Sequence, residues 1–181
     1  GRGVRKDAER AAYWTEKAAG QGLMDAQHNL ALLYLDGEGV AKDDERATYW
    51  TVKAAGQGHE GAIYNLGQMY LKGHVLPQDT SKAMDCFVIL AEKGNALCQY
   101  NLGVLYGEPG LLNDNRKALS WYEQAAAQGY ADAQANLALM YIKGQGTIQD
   151  YGIATEYLSQ AARQGHAGAQ HNLTMLVKKV Q

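Results

Sequence analysis

The sequence predicts an all-α protein: a tandem array of stacked antiparallel helix pairs, about 36 residues per repeat. Two markers in phase, together with the composition, carry that prediction. The Asn-Leu dipeptide recurs as Asn29-Leu30, Asn65-Leu66, Asn101-Leu102, Asn136-Leu137 and Asn172-Leu173, in steps of 36, 36, 35 and 36 residues. The glycines that close the AAGQG-type segments, Gly22, Gly58, Gly94, Gly129 and Gly165, take the same steps, and a fixed period of roughly 20–50 residues marks a repeat architecture. Only two prolines and one phenylalanine stand against 21 glycines and 12 tyrosines in 181 residues. Alanine, leucine, glutamine and lysine outweigh the β-branched and aromatic residues that sheets favour.

Each period holds two helical patterns. In the first (A), Ala26, Leu30, Leu33 and Tyr34 follow the i, i+4, i+7, i+8 spacing of one helix face. It stops at Asp36-Gly37-Glu38-Gly39, where glycine can take the left-handed conformation that ends a helix; Gly73 and Gly144 hold the same stop later. The second (B) opens at Asp43, whose carboxylate can cap the free N–H groups of a first turn, with Asp7, Asp79, Asp114 and Asp150 in the same place. It lays Ala47, Trp50 and Ala54 on one face and ends with Gly58 as the C′ residue. Small residues at Ala54, Ala55, Ala91, Ala126 and Ala162 permit close approach, while Trp14, Trp50, Trp121 and Tyr157 are expected to fill the wider gaps. Cys86, beside Phe87, replaces that aromatic in one repeat. Because an isolated helix of about 12 residues is marginal in water, stability must come from stacking.

The organisation read from these markers is a partial repeat over 1–25 holding a B helix, full repeats over 26–61, 62–97, 98–132 and 133–168, and a terminal A helix over 169–181. Gly1-Arg2-Gly3-Val4 matches Gly37-Glu38-Gly39-Val40, so the sequence starts in mid-repeat and reads as part of a longer protein.

The stretch AQHNLALLYLDGEGVAKDDERATYWTVKAAGQG resembles a Sel-1-like repeat, a relative of the tetratricopeptide repeat with a longer A–B turn, and the resemblance covers nearly the whole chain. It implies a right-handed α/α superhelical solenoid that serves as a protein-interaction scaffold. Bacterial members of the family are often exported or periplasmic, and act as adaptors, signalling regulators, or immunity proteins that block toxic effectors. One repeat departs from the pattern: Glu108-Pro109-Gly110 replaces the glycine pair and Cys98 takes the place of the first alanine.

Chemistry is sparse. The net charge of −2 shows no field for nucleic acid. The longest charge-free stretch, Gly94 to Gly107, is too short to cross a bilayer. Gly56-Gln57-Gly58-His59-Glu60-Gly61 spells G-x-G-x-x-G, but at a helix end, where the period explains both leading glycines; no dinucleotide site is expected. His59 and His166 share one repeat position, and His28 and His171 share another, several repeats apart; no H-E-x-x-H or paired C-x-x-C gathers them, and no metal or other cofactor is expected. Ser81, Ser120 and Ser159 show no base partner, so no catalytic residues are assigned. Asn172-Leu173-Thr174 is a glycosylation sequon on the recurring A-helix asparagine, whose amide is read as a packing group bonded to backbone. A cysteine-rich branch of the family staples neighbouring repeats through disulfides, and some of that branch resembles β-lactam-binding enzymes. Here the staple's partner place is Ala91, and Cys86 lies about 7 Å further along its helix from the place that Cys98 would need.

The informative surface is the A-helix face opposite Leu30. It carries His28, Leu32 and Leu35, then Tyr64, Gln68, Leu71 and Lys72, then Tyr100 and Val104, then Leu139 and Ile142. Similarity to tetratricopeptide arrays would put this stripe along a concave groove. Packing between repeats is the competing account for Leu32, Val104 and Leu139. His28, Tyr64, Gln68, Lys72 and Tyr100 are read as exposed, partner-binding side chains. The expectation is a non-catalytic scaffold whose partner is another protein, such as a secreted effector enzyme. A signalling or assembly adaptor and a β-lactam-binding enzyme are the alternatives.

Overall fold

The computed structural model describes residues 2–180, with side chains from Asp7 to Lys179. Gly1 and Gln181, the ends of the expected partial and terminal repeats, lie outside the described residues. The chain packs as two compact units, Gly1–Leu90 and Ala91–Gln181. The first holds α1 (Arg2–Gly20), α2 (Met24–Asp36), α3 (Asp44–Gly56), α4 (Glu60–Lys72) and most of α5 (Thr80–Glu92). The second holds α6 (Ala96–Gly107), α7 (Asn115–Ala127), α8 (Ala131–Lys143), α9 (Tyr151–Arg163) and α10 (Ala167–Val180). No strand occurs among the described residues. In the first unit α2 packs between α1 and α3, and α3 packs on α4. In the second, α6 to α10 pack each on the next, and α8 also reaches α6 across the intervening helix.

The helix boundaries follow the expected punctuation. Asp43, Asp79, Asp114 and Asp150 each accept a hydrogen bond from the backbone N–H three residues on, at 2.9–3.1 Å. The same aspartates donate their own N–H to the carbonyl of an A-helix tyrosine: Tyr34, Tyr70, Tyr106 and Tyr141. That second bond pins each A–B turn to the helix before it. Gly37, Gly73 and Gly144 cap their helices in the left-handed region at φ 71°, 65° and 65°. α6 instead ends on Glu108 in extended conformation, and Asn113 takes φ 50°, so the departure around Pro109 reshapes one turn and leaves the helix order intact.

Two expectations at the start of the chain are corrected. The repeat pattern places a turn before Asp7, yet α1 runs from Arg2. Trp14, expected to fill a gap, is 65% exposed. Trp50, its repeat equivalent, packs against the cluster of Ala19, Leu30, Tyr34 and Ala47.

The core is built from small residues facing large ones. Ala47, Ala83, Ala118 and Ala154 occupy one B-helix position and are fully buried, as are Leu30, Leu102 and Leu137 at one A-helix position. A Cβ on Gly67 would stand 2.8 Å from the Phe87 ring, and one on Gly103 would stand 2.6 Å from the Tyr122 ring. Phe87, not Cys86, is therefore the aromatic that fills the third B helix.

A polar clip recurs inside this packing. Gln27, on the first turn of α2, is 5% exposed; its Nε2 donates to the Ala19 carbonyl (3.2 Å) and its Oε1 accepts from Gln57 (2.7 Å). Gln99 repeats both bonds with Ala91 and Gln128, and Gln134 repeats them with Ala126 and Gln164. Each clip adds a second hydrogen bond to a B-helix-end carbonyl that already accepts from the N–H of Gly22, Gly94 or Gly129. The intervening repeat has Ile63 and Lys93 at the two glutamine positions, so both partners are exchanged together. Without Gln134 the Ala126 carbonyl keeps the Gly129 N–H and the exposed Gln164 turns to water, so Gln134→Leu is expected to cost about 0.5–1.5 kcal/mol, the net worth of ordinary hydrogen bonds. The Ile/Lys pair placed at Gln134 and Gln164 should recover most of that loss in chemical denaturation.

Candidate partner-binding face

Each unit carries a depression on its A-helix side, and the two are built from residues at equivalent repeat positions. In the first unit, Leu32 and Leu35 of α2 face Gln68, Met69 and Lys72 of α4 across a hollow of roughly 300 Å³, floored by Thr48 and closed by His74 and Val75 of the next turn. In the second, Tyr100 and Val104 of α6 face Asn136, Leu139, Met140 and Lys143 of α8. Asn65 and Asn136, Gln68 and Leu139, Met69 and Met140, and Lys72 and Lys143 hold matching repeat positions. Alanine-lined cores bring the A helices close, and the wedge left between their outward faces is each hollow.

The lining of the first hollow is mainly apolar. Leu32 and Leu35 are half-buried, and Leu35 also packs on the Leu30–Tyr34 cluster. Polar groups stand at one end. Asp44 Oδ1 lies 4.0 Å from Lys42 Nζ and its Oδ2 lies 3.7 Å from His74 Nδ1. Thr48 Oγ1 donates to the Asp44 carbonyl (2.8 Å) and rests 3.9 Å from Met69 Sδ. In the second hollow, Asn136 Nδ2 donates to Tyr122 Oη (3.2 Å), a side-chain partner; the matching asparagine of the sequon, Asn172, is half-buried on α10. Burial pushes the Tyr122 phenol up to about 12 against that hydrogen bond, so it stays neutral.

The structure brings Leu32, Leu35, Gln68 and Lys72 to the first hollow and Tyr100, Val104 and Leu139 to the second. Of these Lys72 is exposed and the others are half-buried. Tyr64 leans on Phe87 (centroids 5.8 Å apart) and its hydroxyl accepts from Gln68 Nε2 at 3.2 Å. Tyr100 is shared between the hollow and packing, at 6.0 Å from Tyr122 and 5.2 Å from Tyr130. Leu71 and Ile142 are half-buried beside the hollows, and their carbonyls accept from Gln78 and Gln149. Met69, Met140, Thr48, Val75 and Lys143 were not legible as lining residues. The two methionines hold Leu33's repeat position, which reads as core.

His28 lies elsewhere. Its ring stacks on His59 with centroids 4.2 Å apart, and His59 Nε2 is 3.6 Å from Asp25. His59 also caps α4, its Nδ1 accepting from the Ala62 N–H (3.1 Å). His166 repeats the cap on Ala169 and meets Asp132 at 3.0 Å. Equivalent histidines are several repeats apart, as read from sequence; the contact that forms joins two non-equivalent positions, which period-matching does not reveal. Burial and the neighbouring His59 lower the His28 pKa, while Asp25 opposes them. Its Nδ1 is buried without a hydrogen-bond partner. The unfolded chain takes up this proton near pH 6.5, whereas the folded one resists it, so acidification through that range destabilises the first unit. Urea midpoints should fall between pH 8 and 5.5 for the native chain, and His28→Phe should flatten that slope.

The G-x-G-x-x-G segment is the α3–α4 turn: Gly56 ends a helix, Gly58 takes φ 90°, and His59 caps the next helix. Cys86 and Cys98 are buried thiols, and burial raises the Cys86 pKa. Among the described residues no group of three or more His, Cys, Asp or Glu side chains is placed to hold a metal. None of the described helices is long and apolar enough to cross a membrane.

Stacked helix pairs with capped, glycine-stopped ends define a helical-repeat protein of the protein-interaction kind. The chain belongs to the Sel1 repeat family, whose model matches residues 1–23, 25–59, 61–95, 96–130 and 131–166. Among solved structures, it is similar to a protective antigen of uropathogenic Escherichia coli displaying an SLR fold: 33% identity, TM-score 0.88, covering 94% of this chain and 37% of that one. It is also similar to a Sel1 repeat protein from Oxalobacter formigenes: 36% identity, TM-score 0.79, covering 93% and 49%. The chain thus spans half or less of the length of both. An immunity protein from Pseudomonas aeruginosa shares the fold at 24% identity, TM-score 0.51, with 84% and 56% covered. No functionally curated protein matches the sequence.

Proposed function

We propose that this protein is a non-catalytic binding module that holds a partner protein, or an extended segment of one, on its A-helix face. The observation that carries this reading is the pair of matching hollows, whose walls include Leu32, Leu35, Val104 and Leu139. These apolar side chains stay partly exposed, Leu32, Val104 and Leu139 in mid-helix, where residues serving only the core, such as Leu30 and Leu137, are fully buried. Affinity capture from the source cell tests it. Leu32→Glu with Leu139→Glu should abolish recovery of the partner while far-UV circular dichroism stays unchanged; undiminished recovery would move the site to the outer B-helix face around Tyr13 and Tyr49, both about half-exposed.

Within that reading, blocking a secreted effector enzyme is a narrower proposal. The Pseudomonas immunity protein contributes the shared fold and no residue-level match. Co-expression that rescues growth from a toxin encoded beside the gene would support it, and persistent toxicity would leave the scaffold reading without the immunity role.

A further inference from the structure

Both hollows carry a lysine at their mouths that the fold does not use. Lys72 and Lys143 are the last residues of α4 and α8, at the same repeat position, each following Met-Tyr and an aliphatic residue. Both side chains are exposed, and neither has an ion-pair partner among the described residues. A cation suits the negative end of a helix dipole. Two other A helices end without one, on Asp36 and on Gly107 followed by Glu108, so a terminal lysine is no requirement of the repeat; α10 carries Lys179 at the same position, where it lies over the Tyr151 ring at 5.2 Å. On α4 and α8, whose Met69 and Met140 line a hollow, that lysine stands at the hollow's edge. In the first unit the rim carboxylate, Asp44, is already engaged by Lys42 and His74. In the second, Asn115 stands at the equivalent position, and Glu108 is the carboxylate on the rim.

We infer that each hollow takes an apolar side chain of an extended partner segment while Lys72 or Lys143 pairs with a carboxylate beside it in that segment. The inference rests on the reading under Proposed function and names the chemistry of the partner. Three features fit that occupant. Volumes of roughly 300 Å³ in the first unit and roughly 430 Å³ in the second are at the small end of ligand-site volumes, suited to one or two side chains. Met69 and Met140 present flexible thioethers that adjust to different aliphatic or aromatic shapes. The uncompensated lysine supplies charge complementarity, which sets partner choice more than affinity. The first unit shows the preference more strongly, because Glu108 opposes it in the second.

The test uses fluorescein-labelled decapeptides of glycine and serine carrying leucine followed by glutamate, glutamine or lysine, or alanine followed by glutamate, read by fluorescence anisotropy at low salt. The leucine-glutamate peptide should bind about three- to fivefold more tightly than leucine-lysine, the range of an exposed ion pair, and the gap should close as salt is added. The alanine peptide should bind at least tenfold more weakly than its leucine counterpart. Lys72→Glu with Lys143→Glu, both at exposed positions, should invert the order. Equal binding of the three leucine peptides, or an order that survives the double substitution, would overturn the inference. If no peptide binds while Leu32→Glu with Leu139→Glu still abolishes partner capture, this inference fails and the scaffold reading stands. If capture is also unaffected, both fail.

Discussion

Leu137→Ala is expected to lower the stability of the second unit by about 2–5 kcal/mol, the range for a buried leucine whose cavity cannot collapse. Leu137 is fully buried among Ala118, Tyr122, Ala125, Ala126, Ala133 and Met140. Four of those neighbours are alanines on helices already in close contact, so little can move in to fill the void. Leu102→Ala, at the same repeat position and equally buried, should cost a similar amount. Leu173 holds that position on α10 but is only half-buried, so Leu173→Ala should cost clearly less. Chemical denaturation showing a loss under about half a kcal/mol for Leu102 or Leu137 would remove that row from the core, against the range expected for burial.

Gly146→Ala should be comparably damaging by a different route. Gly146 takes φ 71°, and a Cβ there would run into the Asn115 carbonyl at the start of α7. The α8–α9 turn therefore lies directly on the first turn of the preceding B helix, and only glycine permits it. Left-handed backbone costs a non-glycine residue about 1–2 kcal/mol, and displacing a packed turn adds about 1–3 kcal/mol. Gly165 separates the two terms: it takes φ 86° with open space around it, so Gly165→Ala should show the backbone cost alone. Gly39 makes the same close approach to the Ala8 carbonyl in the first unit. Thermal unfolding that moved equally for Gly146→Ala and Gly165→Ala would show that the turn is not seated there.

What the sequence disclosed, and what it hid, divide along the range of the interactions. Helix starts and stops depend on residues three or four apart, so Asp43, Gly37 and their repeats were readable from spacing alone. The fully buried row of Leu30, Leu102 and Leu137 was readable because helical period and repeat period agree. The clip between Gln27 and Gln57 and the stack of His28 on His59 join positions about thirty residues apart that are not repeat equivalents. No periodicity marks such pairs.

The candidate face was legible in part for the same reason. The stripe Leu32, Gln68, Val104 and Leu139 follows from helix geometry, since residues one turn apart share a side. Which members would line a hollow and which would close a contact depended on side-chain reach. Tyr64 found Phe87 because Gly67 leaves room for that ring, and Tyr100 found Tyr122 and Tyr130. Met69 and Met140 share a core position with Leu33, but their longer thioethers extend to the hollows. Lys72 reads as a partner-binding side chain from its place on the stripe, whereas Lys143, its repeat equivalent, stands out only beside the hollow that it borders.

The central claim is that the A-helix hollows, and no chemical centre, engage the partner. A photo-crosslinking residue placed at Gln68, and in a second protein at Tyr49 on the outer B-helix face, tests it directly. The account predicts a covalent adduct with the captured partner from position 68 and none from position 49. Adducts from position 49 alone would contradict it.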